Sequence, residues 1–315
     1  MRASFIAELM ECADQDPRIW LVTGDLGYAV LEPFAERFPQ RYVNAGVAEQ
    51  NMIGVAAGLA RSGATVFVYS IANFPTFRCL EQIRNDVCYA GAAVTIVSVG
   101  SGFSYGSHGS THHAIEDLAV MRSLPGIVVV SPGDPSEARF ATRALADLAA
   151  PAYLRLGKAG EAIVDARAGD EFALGQMRLI RDGADITLVA TGSVLAMVDA
   201  AAEALERDGI SARVYSAHTL KPFDKETLLR AMSETAGIVT VEEHRLVGGL
   251  RSAMAEALLD LPEGRQHRIR SLGVGPNVLL GTGDQAHLRS VSGLTEDAVI
   301  DAVRSMLETG GGLTA

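Results

Sequence analysis

The sequence predicts an α/β protein built from two doubly wound parallel-sheet domains, and three observations predict it. Short runs of β-branched and apolar residues, such as 65–69, 94–99 and 126–130, lack polar alternation, as strands buried on both faces require. Helix-length segments with apolar residues at helical spacing separate these runs, so strand and helix alternate. The series fades once, in a Gly/Ala/Asp-rich stretch, and restarts near 185; 315 residues suffice for two such units. The expected organisation is a first domain over 1–158, a linker over 159–184 and a second domain over 185–315.

Taken in order, Phe5, Ile6, Leu9 and Met10 mark a helix over 4–12. A buried strand over 19–22 stops at Thr23, Gly24 and Asp25. Then follow a helix near 31–37, a strand near 41–43, a helix headed by Glu49, and the strand 65–69. A helix near 75–87 leads to the strand 94–99 and a Gly/Ser/His loop over 100–113. A helix near 115–122, the strand 126–130, a helix near 135–149 and a last strand over 152–155 complete the first unit. The second unit reads as strands 185–190, 212–215 and 238–241. Its helices fall at 193–207, after Asp224, near 248–259 and near 296–308.

Composition excludes several function classes. The net charge of −11 is spread along the chain with no basic run, which argues against nucleic-acid or anionic-membrane binding. Cys12, Cys79 and Cys88 lack CxxC spacing and read as free thiols of a reducing compartment. No signal-peptide pattern opens the sequence, and no apolar run is long enough to span a bilayer, so a cytoplasmic protein is expected. Neither GxxxxGK[ST] nor a post-strand GxGxxG occurs, and Gly248 with Gly249 fits a tight turn.

Chemistry concentrates in two places. Glu49 heads a run in which 52–60 contains only Met, Ile, Gly, Val, Ala and Leu. Gly54 and Gly58, four apart, offer a flat face to a close neighbour. A carboxylate there is either an ordinary first-turn acid favoured by the helix dipole or a desolvated acid that exchanges a proton near neutrality. Ile71, Phe74 and Phe77 recur every three residues, as one face of core or as an aromatic platform for a flat ring. Glu81–Arg84 reads as a solvated helix face. The loop 100–113 follows a parallel strand, where such sheets place ligands, and holds His108, His112 and His113. Their spacing lacks a helical metal-ligand pair and a completing thiol or carboxylate, so proton transfer or hydroxyl binding outranks metal.

These motifs together resemble the C-terminal half of transketolases. The match runs through 44–60, the spacing of Ile71, Phe74 and Phe77, the segments 81–85, 109–117 and 121–125, then 190–193, 218–222 and 241–244, nearly the whole chain in family order. The resemblance implies a thiamine diphosphate pyrimidine-binding domain followed by the transketolase C-terminal domain. It implies that Glu49 hydrogen-bonds the pyrimidine nitrogen N1′ and cycles a proton with it. Phe74 would stack on the pyrimidine, Ile71 and Phe77 would complete that pocket, and His112 would bind substrate hydroxyls.

What is missing matters equally. The family's Gly-Asp-Gly motif for magnesium and diphosphate is absent from the sequence. The resemblance therefore implies a split enzyme: a separate N-terminal subunit supplies the Mg2+ ligands, in an α2β2 heterotetramer transferring a two-carbon unit between sugar-like substrates. The family's donor-hydroxyl Asp falls on His108. Its phosphate-binding His and Ser fall near Gly100 and near Ala29, and its Arg beyond the last strand is Lys158, while Arg2 matches an N-terminal Arg. Tyr105 joins His108, His112, Lys158 and Arg2 as a substrate-binding candidate. Alternatives are a 2-oxo-acid dehydrogenase β-subunit, a deoxyxylulose phosphate synthase-like enzyme, and a non-catalytic assembly subunit.

Overall fold

A computed structural model describes residues 1–164, 172–259, 268–277 and 281–308. Its strands in chain order are β1 (Ile19–Thr23), β2 (Tyr42–Asn44), β3 (Thr65–Ile71), β4 (Val94–Val99), β5 (Val128–Val130) and β6 (Ala152–Leu156). Then come β7 (Arg178–Arg181), β8 (Ile186–Thr191), β9 (Ala212–Ser216), β10 (Thr219–Lys221), β11 (Ile238–Arg245) and β12 (Ile269–Val274). The first helices are α1 (Arg2–Gln15), α2 (Glu32–Arg37), α3 (Glu49–Arg61), α4 (Asn73–Thr76), α5 (Leu80–Gln82), α6 (Asp117–Ser123) and α7 (Pro135–Ala146). The later ones are α8 (Leu195–Arg207), α9 (Lys225–Glu234), α10 (Leu250–Leu259), α11 (Gln285–Val291) and α12 (Glu296–Glu308).

Two sheets result, in the orders β10-β5-β6-β4-β3-β1-β2 and β12-β11-β8-β9-β7. Both are parallel apart from one antiparallel edge strand each, β10 in the first and β7 in the second. Strand parity divides the first core. Phe67 and Val97 meet Phe5 and Leu9 of α1 and Ala138 and Leu145 of α7 on one face. Val66, Val68 and Ile96 meet Met52 and Ile53 of α3 and Met121 of α6 on the other. This second core runs on through Leu220, Leu228 and Met254, so the two halves share buried apolar surface.

Several elements differ from the sequence reading. β7 lies inside the stretch expected as linker and pairs with β9; residues 165–171 of that stretch lie outside the described residues. β10 leaves the second half to pair with β5, Thr219 opposite Val130, and the edge strand β12 and helix α11 are additional. The helix expected over 75–87 is broken. α4 gives way at Phe77–Cys79, where Cys79 leaves helical geometry (φ −107°, ψ 13°), and α5 continues as a π-helical turn over Ile83–Cys88.

One buried network clamps the halves together. Arg155, 1% exposed, donates from Nε to Asp117 Oδ2 at 2.7 Å and from Nη2 to the carbonyls of Ala114 (2.6 Å) and Glu243 (3.1 Å). Tyr153 donates its hydroxyl to the same Asp117 oxygen at 2.6 Å. Removing one partner of such a pair strands a buried charge, so Arg155→Ala is expected to cost about 3–5 kcal/mol. Chemical denaturation checks this; a loss below about 1 kcal/mol would show that Asp117 finds other partners.

Candidate active site

Glu49 sits at the first position of α3, just beyond the C-terminal ends of β1 and β2, where parallel sheets present ligand-binding groups. It is 3% exposed, and Gly24 lies so close that a Cβ there would sit 3.6 Å from Glu49 Cγ. The carboxyl is not bare, however. Arg78, at the α4–α5 break, donates from Nη1 to Glu49 Oε2 at 2.8 Å. The purely apolar surroundings expected from the run 52–60 are thus corrected by a cation from elsewhere in the chain.

Phe74, in α4, is half-buried, and the Arg78 guanidinium carbon lies 4.8 Å from its ring centroid. Ile71 ends β3 half-buried, while Phe77 is 39% exposed. His112 meets Phe74 edge-on at 5.4 Å between centroids. His108 lies 5.0 Å from His112, and Tyr105 lies 5.8 Å from His108 and 6.4 Å from His112. Lys158 Nζ stands 4.7 Å over the Tyr105 ring, and Arg2 donates from Nε to the Lys158 carbonyl. A continuous row therefore runs from Glu49 through Arg78, Phe74, His112, His108 and Tyr105 to Lys158 and Arg2.

The loop carrying the histidines is held at both ends. Gly102 and Ala114 exchange backbone hydrogen bonds at 2.9 Å. Glu243 of β11 accepts from the Phe103 amide at 2.7 Å and from Gln285 and Arg289. Asn73 donates to the carbonyls of Thr111 (2.9 Å) and His113 (2.8 Å), fixing His112 against Phe74, while its Oδ1 is buried without a partner. Burial and the neighbouring histidines push the His112 pKa down, so near neutrality it presents a neutral ring.

Gly100 and Ala29, near which the resemblance would place phosphate-binding side chains, have distinctive local geometry. Gly100 has φ +95°, and a Cβ there would lie 2.2 Å from the Tyr105 ring, so the tyrosine fills the space of a side chain at that position. Ala29 adopts φ +61° and Asp25 φ +59°, both unusual for residues with a Cβ. Asp25 exchanges hydrogen bonds with Asn44 and helps line a cavity of about 250 Å3 with Gly27, Tyr28 and Tyr42. Sequence reasoning missed Asp25, Asn44, Asn73 and Arg78. The strand-end position of Asp25 was a signal for the first of them.

Two further features concern glycine and histidine. Gly249 opens no anion site: a Cβ there would lie 1.9 Å from Glu242 Oε2, and Glu242 itself accepts the amides of Leu250 (2.7 Å) and Arg251 (3.0 Å) at the start of α10. Among the described residues no three or more His, Cys, Asp or Glu side chains gather as a metal site.

Buried ionisable groups of the two halves make opposing contributions to stability. Burial pushes Glu137 and Glu242 up to about 7, and pushes His218 down to about 3 and His244 to about 4. From about pH 4.5 to 7 the folded state holds more protons on the acids than the unfolded chain does, so their contribution falls as pH rises. From about pH 4 to 6.5 the folded state holds fewer on the histidines, so theirs rises with pH. Between pH 5 and 6.5 the two trends offset. Glu137→Gln keeps a carbonyl oxygen for the Gly133 amide and Ser216 hydroxyl but removes one titration. Its stability is expected to fall by up to about 2 kcal/mol more than that of the unsubstituted chain on acidification from pH 6.5 to 5. Denaturant titrations at both pH values check this; identical pH slopes would show that Glu137 does not titrate there.

Comparison with known proteins identifies the family. Residues 1–160 match the family model for the transketolase pyrimidine-binding domain, and 175–299 match that for the transketolase C-terminal domain. One of the subunits of an apulose-4-phosphate transketolase from Phocaeicola vulgatus is 40% identical over 264 residues, 83% of this chain and 84% of the relative. The 6-deoxy-6-sulfo-D-fructose transketolase subunit SqwH of a Clostridium species is 36% identical over 310 residues, 98% and 94% of the two chains. A solved split-gene transketolase, described as an inactive β4 tetramer, superposes with a TM-score of 0.86 at 36% identity, covering 98% of this chain and 97% of that one. With both family domains in order and split subunits matched over nearly their full length, the chain belongs to the transketolase family and corresponds to the C-terminal part of a split transketolase.

Proposed function

We propose that the chain is the ring-binding subunit of a two-carbon ketol transferase that acts only with a separate N-terminal subunit. The observation that carries the reading is a buried carboxyl, Glu49, beside a half-exposed aromatic face, Phe74. The family depends on thiamine diphosphate, and the residues present fit one half of it. A flat aminopyrimidine matches an aromatic face, an acid for its ring nitrogen, and the buried unpartnered Asn73 Oδ1 as a further acceptor. The Gly-Asp-Gly motif by which the family holds the other half does not occur in the sequence, so Mg2+ and the diphosphate are assigned to the N-terminal subunit. The assembly proposed is an α2β2 heterotetramer. The unpaired cysteines fit a reducing, cytoplasmic setting.

Bound there, the cofactor supplies a site that accepts and passes on a two-carbon ketol unit. Glu49 would hold and return the proton of the ring nitrogen, Phe74 with Ile71 and Phe77 would fix the ring plane, and the loop 100–113 would wall off water. His112, neutral near pH 7, would accept from or donate to a substrate hydroxyl, with His108 beside it.

The substrate reading follows from the row's far end. A phosphate dianion favours several charged donors in fork geometry. Here Lys158 covers Tyr105, Arg2 is engaged with a carbonyl, and Gly100 and Ala29 offer no donor side chain. An ordinary pentose phosphate should therefore be a poor substrate, in keeping with the relative named for the unphosphorylated 6-deoxy-6-sulfo-D-fructose; the relative named for apulose 4-phosphate takes its name from a phosphate ester and speaks for the opposite outcome. The test is steady-state kinetics of the reconstituted pair on xylulose 5-phosphate with ribose 5-phosphate. The expected kcat/KM is below roughly 10⁴ M⁻¹s⁻¹; a higher value would show a phosphate site made by other residues. Condensation from pyruvate with no ketol transfer would favour the deoxyxylulose phosphate synthase alternative.

A further inference from the structure

We propose that Arg78 is a built-in stand-in for the cofactor's aminopyrimidine ring, holding the ring's place in the unloaded chain and leaving when the ring enters. The inference rests on the reading of Glu49 and Phe74 given above. That site asks two things of its occupant: a flat face over Phe74 and an N–H directed at Glu49. The Arg78 guanidinium, planar and rich in N–H donors, meets both, 4.8 Å from the Phe74 centroid and 2.8 Å from Glu49 Oε2.

Its position suits exchange. Arg78 stands at the break between α4 and α5, where the backbone departs from helical geometry. Its side chain is 50% exposed whereas that of Glu49 is 4% exposed, so the guanidinium can swing into solvent while the carboxyl stays. The Gln50 side chain donates to the Arg78 carbonyl at 3.2 Å, which anchors the backbone and leaves the side chain as the moving part. The physical need is plain: a buried carboxylate without a partner is costly, and before the ring arrives Arg78 is the partner. The cost falls on cofactor entry, because the ring must displace an existing stack and an existing charged hydrogen bond.

The opposing arrangement keeps Arg78 on Oε2 while the ring takes the other carboxylate oxygen, and it predicts the opposite sign. Thiamine diphosphate binding to the reconstituted pair, measured by calorimetry and by stopped-flow circular dichroism, separates them without reference to turnover. Arg78→Ala is expected to tighten binding and speed association by roughly 5- to 30-fold, the worth of an exposed cation–π contact plus a half-exposed ion pair. Arg78→Lys, which keeps the charge but not the flat face, should fall between. Unchanged or weaker binding in Arg78→Ala, with its thermal unfolding intact, overturns the stand-in; if that variant is unstable, slower association in Arg78→Lys does so. Phe74→Ala and Glu49→Gln serve as controls for the underlying reading. If both leave binding unchanged, the ring site itself is misplaced; if both weaken it while Arg78→Ala also weakens it, only the stand-in fails.

Discussion

Glu49→Gln, made in the pair reconstituted with a diphosphate-binding subunit, is expected to lose on the order of 10²–10⁴ in turnover while the assembly stays folded. An amide can accept a hydrogen bond but cannot give up and regain a proton, so on the proposed role the ring nitrogen would lose its acid–base partner. Folding should be spared because the side-chain oxygen can still accept from Arg78, and a half-exposed arginine released from an ion pair returns to water at a cost of about 1 kcal/mol or less. Turnover alone does not assign the step. Hydrogen–deuterium exchange at the cofactor's thiazolium C2 does, because on the proposed role a proton held by Glu49 at the ring nitrogen would govern it. Exchange as fast in Glu49→Gln as in the unsubstituted pair would remove the role given to Glu49.

How much of this was readable beforehand depends on where each signal resides. The central strands were legible because β3, β4 and β8 are nearly uninterrupted β-branched and apolar runs buried on both faces, a pattern local to each segment. β10 and β12 were not. One is three residues long and exists because Thr219 reaches Val130 across the halves; the other is a half-exposed edge strand containing Arg270 and Gly273. β7, with two arginines in four residues, reads as loop until β9 is beside it. The same division runs through the site. Glu49, Phe74 and His112 could be picked out by residue type and family spacing, and they lie in one row. The positive φ of Asp25 and Ala29 has no sequence signature in residues that carry a Cβ, and Arg78 meets Glu49 only through a contact 29 positions apart. Missing that contact made the carboxyl look more isolated than it is.

The isolated chain should bind thiamine diphosphate at least ~100-fold more weakly than the reconstituted pair and show no transferase activity. Each charge-assisted hydrogen bond to the diphosphate is worth about 1.5–3 kcal/mol, so losing two or three of them, with the metal, costs roughly 10²–10⁴ or more in affinity. The proposed ring half of the site is also open on this chain. Phe77 is 39% and Val47 77% exposed, and Gly54 and Gly58 on α3 face open space, with nothing within 4 Å of where a Cβ would stand. An exposed apolar face of this kind is where a partner subunit would dock, and docking would dry the ring pocket in the same step. Calorimetry with and without Mg2+ on the purified chain, then on the pair, measures both effects. Magnesium-dependent binding by the lone chain at the affinity of the pair would overturn the split-enzyme reading, because this chain would then have to supply diphosphate and metal ligands of its own.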